Sequence, residues 1–164
     1  MFFSRCRVLV AFAAVLAFPF ASQAQPAQPP SIALAVDASQ AARKIFHARL
    51  TIPARPGTLT LYYPKWIPGE HAPDGPIVDL AGLKFTANGQ VLNWRRDLQD
   101  MFTIHVEVPA GVTSVHAALD YLSPAAERGF SGAASATARM TVVSFNQVLL
   151  YPKGWPADQM NYTA

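Results

Sequence analysis

The sequence predicts an all-β chain: an antiparallel β-sandwich of about seven to eight strands with long loops, preceded by a signal peptide. Three observations predict it. Apolar and polar residues alternate with period two through most of the chain beyond residue 30. The 14 prolines are hard to fit into long helices. Turn signals such as Asn88-Gly89 and Pro109-Ala110-Gly111 recur at the intervals expected of short strands.

The first element is an export signal over residues 1–24. Arg5 and Arg7 supply the positive end. The 13 residues from Val8 to Phe20 are apolar, too few for a membrane span, which needs about 20. Ser22 and Ala24 are the small residues of a cleavage site after Ala24. The alternative, an uncleaved anchor, is disfavoured by that length. Cleavage takes the net charge from +3 to +1 and removes Cys6, the single cysteine. The mature chain then has no thiol for a disulfide or a cysteine–zinc site and no basic patch for nucleic acid. It is expected in the periplasm or outside the cell, with no membrane association. Residues 25–30 (QPAQPP) read as a flexible linker. Residues 31–164 are left as one β-domain. With 51% hydrophobic and 14% charged residues the chain is not disordered.

The strands follow in order. Ile32, Leu34 and Val36 alternate with Ala33 and Ala35. Ala38–Lys44 is the one place for a helical turn. Phe46, Ala48, Leu50 and Ile52 share a face, and Pro53 stops that strand. Leu59, Leu61 and Tyr63 share the next face, ended by Pro64. Residues 80–87 and 90–96 are expected to pair as the two arms of a hairpin about Asn88-Gly89, a pair suited to the type I′ turn. Phe102, Ile104, Val106 and Val108 form another apolar face, and Val115, Ala117, Leu119 and Tyr121 another. Met140 to Tyr151 is expected as a longer, more apolar central strand. Two loops interrupt the pattern: the proline-rich Pro64–Pro76 and the small-residue-rich Ser123–Arg139.

Most familiar chemistry finds no footing. There is no His-Glu-x-x-His. His47, His105 and His116 fall on the polar sides of strands and are expected to be solvated, with no metal. Gly129-Phe130-Ser131-Gly132-Ala133 imitates a nucleophile elbow but lacks its last glycine and its strand-to-helix context. No phosphate-binding glycine loop is present. Glu70 and Asp74, the only paired carboxylates worth weighing for sugar chemistry, share one loop, whereas such pairs are normally held by separate elements. The loop around Trp66 is the strongest candidate. Pro64 and Pro68 stiffen it, and Gly69 permits an unusual turn. Trp66 either presents an aromatic surface to a partner or plugs the end of the sandwich; the residues alone leave both open.

The segment Lys44-Ile45-Phe46-His47 and then Leu59 to His71 (LTLYYPKWIPGEH) resembles the N-terminal domain of M61-family metallopeptidases, the glycyl aminopeptidases. Leu83–Gln90, Trp94–Asp97, Gly129–Ser131 with Ala134–Thr137, and Asn146–Pro152 resemble further stretches in the same order. The resemblance implies a non-catalytic β-domain whose partner is an M61-type catalytic domain, in cis in full-length relatives, with peptide substrate bound only in that context. Zinc is implied only for those relatives, through a helical domain followed by a PDZ-like one; no position here matches the zinc ligands or the catalytic Glu. The expectation is therefore no catalytic residue, no metal ligand and no cofactor in this chain, which would be a truncated or split member. By analogy Trp66, Gly69, Glu70 and His71 would lie nearest a substrate cleft or domain interface, with Glu70 facing the substrate's α-ammonium. The rival expectation is a free-standing periplasmic binding module on the same sandwich.

Overall fold

The computed structural model describes residues 31–67, 69, 71–124 and 135–164. The expected signal peptide and linker lie outside them, as do Pro68, Glu70 and Ser131. Among the described residues, twelve strand segments run in chain order: β1 (Ser31–Asp37), β2 (Ile45–Pro53), β3 (Gly57–Tyr62), β4 (Leu80–Ala87), β5 (Gln90–Val91), β6 (Trp94–Arg96), β7 (Thr103–Val108), β8 (Ser114–Leu122), β9 (Ser135–Ala136), β10 (Thr141–Val142), β11 (Tyr151–Pro152) and β12 (Asn161–Thr163).

Two sheets carry the fold. The larger has the order β12-β1-β2-β8-β4-β5, the smaller β11-β3-β7-β6, and β9 and β10 pair as a separate ribbon. All pairings are antiparallel except β1 with β12. The alternation seen in the sequence becomes burial. Ile32, Phe46, Ala48, Leu50, Ile52, Val115 and Leu119 from the larger sheet meet Leu61, Ile104 and Val106 from the smaller in one apolar core. Each of these valine, leucine, isoleucine and phenylalanine side chains, fully buried, contributes roughly 1.5–3 kcal/mol. The helical turn expected in Ala38–Lys44 is a single 3₁₀ turn, Ala41–Arg43, closed by Lys44 in the left-handed region.

Asn88 and Gly89 both take positive φ, 48° and 76°, as a type I′ turn requires. The arm after it is not the single strand expected over 90–96. Gln90 and Val91 pair with β4, and then Trp94–Arg96 pairs with β7 in the other sheet. The cause is Leu92, which turns into the core and donates its N–H to Phe85 O (2.9 Å). Trp94 then packs edge-on against the Phe85 ring. The long strand expected over 140–151 is also corrected. Only Thr141–Val142 and Tyr151–Pro152 pair as strands, separated by a 3₁₀ turn at Phe145–Gln147. Ser144 and Gln147 form a reciprocal capping box there, a local helical signal that outweighs apolar content. Of the eight expected strands, the other six are present at six to nine residues each.

Candidate functional site: a two-loop end of the sandwich

The Pro64–Pro76 loop is a closed finger rooted in the core. Tyr63 is fully buried; its N–H donates to Phe102 O (2.9 Å) and its hydroxyl to Gln147 O (2.8 Å). Burial holds the Tyr63 phenol far above its ordinary range, so it remains a neutral donor. The finger closes where Gly75 N–H donates to Lys65 O (2.9 Å). Only glycine fits at 75, because a Cβ there would run into the Pro64 carbonyl. Ile77 then returns to the core.

Along the finger Trp66 is 65% exposed, so it does not plug the sandwich. Gly69 (φ 93°) and His71 are exposed as well. Glu70, the fourth expected site residue, lies outside the described residues.

Beside this finger stands a second loop that the sequence reading did not single out. Asp97 Oδ1 accepts the N–H groups of Gln99 (2.9 Å) and Asp100 (3.1 Å). Asp100 accepts from Phe102 N–H (3.3 Å), Thr103 Oγ1 (2.9 Å) and Lys65 Nζ (3.2 Å). Arg96 donates to Met101 O (2.8 Å). These bonds hold Leu98, 98% exposed, and Met101, 53% exposed, on a braced turn. Partial burial works against ionising Asp100, but the hydrogen bonds from Thr103 and Lys65 outweigh it and lower its pKa. Lys65 also lies 5.4 Å above the Phe102 ring. One lysine thus joins the bases of two loops that expose a tryptophan, a leucine and a methionine. The signal in the sequence was Asp97-Leu98-Gln99-Asp100-Met101, apolar residues between two turn-forming aspartates.

His47, His105 and His116 are paired rather than merely solvated. His47 Nδ1 meets Asp120 Oδ1 at 2.6 Å, and His116 Nδ1 meets Thr51 Oγ1 at 3.1 Å. His105 bridges Thr60 Oγ1 (3.1 Å, through Nδ1) and Asp97 Oδ2 (2.9 Å, through Nε2). That hydroxyl–imidazole–carboxylate chain looks like a hydrolytic relay. Its hydroxyl, however, is on a β-branched residue in mid-strand, directly opposite His105 in the ladder. Its observed work is to fasten the Asp97 loop to β7.

The sequence profile of the peptidase M61 N-terminal domain matches residues 33–163. The chain belongs to this family. No curated protein matches the M61 domain's sequence. Among solved structures it resembles an aminopeptidase N family protein from Idiomarina loihiensis, with a TM-score of 0.63 and 18% identity. The match covers 75% of this chain and 20% of that one, so the M61 domain spans about a fifth of the solved protein's length. At that identity the likeness concerns the fold.

Among the described residues no three His, Cys, Asp or Glu side chains come together in a way that would hold a metal ion. His47, His105 and His116 each have a ring nitrogen engaged by Asp120, Thr60 and Asp97, or Thr51. Because they do not come together with one another or with a third ligand, these residues do not fit a zinc site. Among the described residues, no helix is long and apolar enough to cross a membrane.

Proposed function

We propose that this domain is the exported, non-catalytic β-element of an M61-type zinc aminopeptidase, and that its two-loop end docks against the catalytic domain. Full-length relatives would then cleave N-terminal residues from peptides in a cleft that the finger helps to wall. The observation that carries the reading is Trp66, a large aromatic left 65% exposed on a finger whose base is closed and rooted in the core. An ordered, exposed aromatic beside exposed Leu98 and Met101 is the composition of an interface anchor. Glu70, on the same finger, would offer a carboxylate to a peptide α-ammonium.

The test has three arms. The purified chain, given zinc and glycyl- or alanyl-anilide, is expected to show no turnover. Chelator-sensitive turnover tracking one zinc per chain would overturn the non-catalytic assignment. Sedimentation and a dye for apolar surface are expected to report self-association and binding, both reduced in Trp66→Ser. A clean monomer that binds no dye favours a self-sufficient binding module. Intact mass of the exported protein is expected to begin at Gln25.

A further inference from the structure

We propose that Asn88 is a site of spontaneous deamidation, and that one of its two products unlocks the β4–β5 edge of the larger sheet. Asn88 and Gly89 are both exposed at the tip of the turn. A Cβ placed on Gly89 would meet nothing within 4 Å, so no other part of the domain crowds that side of the turn. The chemistry needs only water. The deprotonated Gly89 nitrogen attacks Asn88 Cγ; a C–N bond forms, the bond to the side-chain NH₂ breaks, and ammonia leaves. Water then opens the resulting cyclic imide at either carbonyl. The sum is asparagine plus water giving aspartate or isoaspartate plus ammonia, with no oxidant or reductant.

The closed turn restrains this attack, because Asn88 must rotate about its Cα–C bond to bring the two groups in line. Opening is the controlling event, and the strand pairing that opposes it is short. β5 is two residues long, Gln90 and Val91 are both exposed, and it is held by two register pairs, Ala87 with Gln90 and Thr86 with Val91, and by the Leu92 N–H bond to Phe85 O. The two products then differ. Aspartate followed by glycine suits the same type I′ turn and leaves the hairpin intact. Isoaspartate routes the backbone through the former side-chain carbon, and a two-residue loop no longer closes in register. The residues that follow are Leu92, 5% exposed, and Trp94, on the Phe85 ring, where the chain crosses between sheets.

The native chain is incubated in mildly alkaline buffer and sampled by tryptic mapping, alongside the free peptide Phe85–Arg95. That peptide also contains Asn93, an internal control followed by bulky Trp94. Expected is conversion at Asn88 and none at Asn93, with both products formed, at a rate several-fold below that of the free peptide. An unconverted native chain after the free peptide is fully converted overturns the site. The Asn88→Asp variant is expected to melt with the unmodified chain and the isoaspartate fraction to melt lower. Equal melting of all three overturns the unlocking.

Discussion

Lys65 Nζ lies 3.2 Å from Asp100 Oδ1, so a single exposed ion pair spans the two loops that carry Trp66, Leu98 and Met101. Both side chains are more than a third exposed. Such a pair, with the contact to the Phe102 ring, is worth about 0.5–1.5 kcal/mol. Lys65→Met keeps most of the stem and removes the charge. Its melting midpoint is expected to fall slightly, and the difference from the unchanged chain to shrink toward 1 M salt, where the Debye length is about 3 Å. A salt-independent difference would assign the effect to packing.

Gly75 closes the finger without a side chain. Gly75→Ala would drive a Cβ into the Pro64 carbonyl, so either the Gly75 N–H to Lys65 O bond opens or Pro64 leaves its buried place. The expected cost is about 1–3 kcal/mol, with a change in Trp66 fluorescence because Trp66 adjoins the closure. Thermal melting and fluorescence read the two effects separately.

What was legible in the sequence follows from locality. Faces such as Phe46, Ala48, Leu50 and Ile52 state their burial directly, and Asn88-Gly89 states its turn. Leu92 shows the limit: apolar content says that it is buried but not that it bends the chain out of one sheet and into the other. The Phe145–Gln147 turn is set by a three-residue side-chain exchange that an apolar run conceals. The partners of His47 and His105 depend on register between distant strands, which no local pattern encodes. Trp66, Gly69 and His71 stand out in the sequence because proline and glycine punctuate their loop. Leu98 and Met101 were missed because exposed apolar residues in a short turn resemble strand residues until the turn is seen.

Asp97 makes the second loop acid-sensitive. Its hydrogen bond from His105, and then those from Gln99 and Asp100 N–H, lower its pKa from 3.8 to about 2. A carboxyl depressed in the folded state contributes stability that is present above the unfolded pKa and lost as pH falls through the folded one. The window is therefore from about pH 4 down to about pH 2. Asp97→Asn is expected to flatten the melting-midpoint profile in that window. Some acid dependence remains, because Asp37 and Asp100 are lowered as well. A profile of unchanged slope would mean that the loop is held by its other bonds.

Gly82 is the position where backbone, charge and register meet. It has φ 62° at the bulge that shifts the β4–β8 register between Ala81 and Lys84. A Cβ there would stand 2.6 Å from Asp120 Oδ2, the carboxylate that pairs with His47 across the sheet. The missing side chain thus permits a left-handed backbone and leaves space for the carboxylate. Gly82→Ala is expected to destabilise the domain by about 1–3 kcal/mol through the strained φ, with more if Asp120 cannot turn aside. Asp120→Ala alone removes the hydrogen bond to His47 but creates no clash. In the double variant the collision disappears while the φ strain remains, so the combined loss should be less than the sum of the single losses. Strict additivity of the melting free energies would show that Asp120 moves freely. It would leave the backbone conformation as the whole reason for glycine at this bulge.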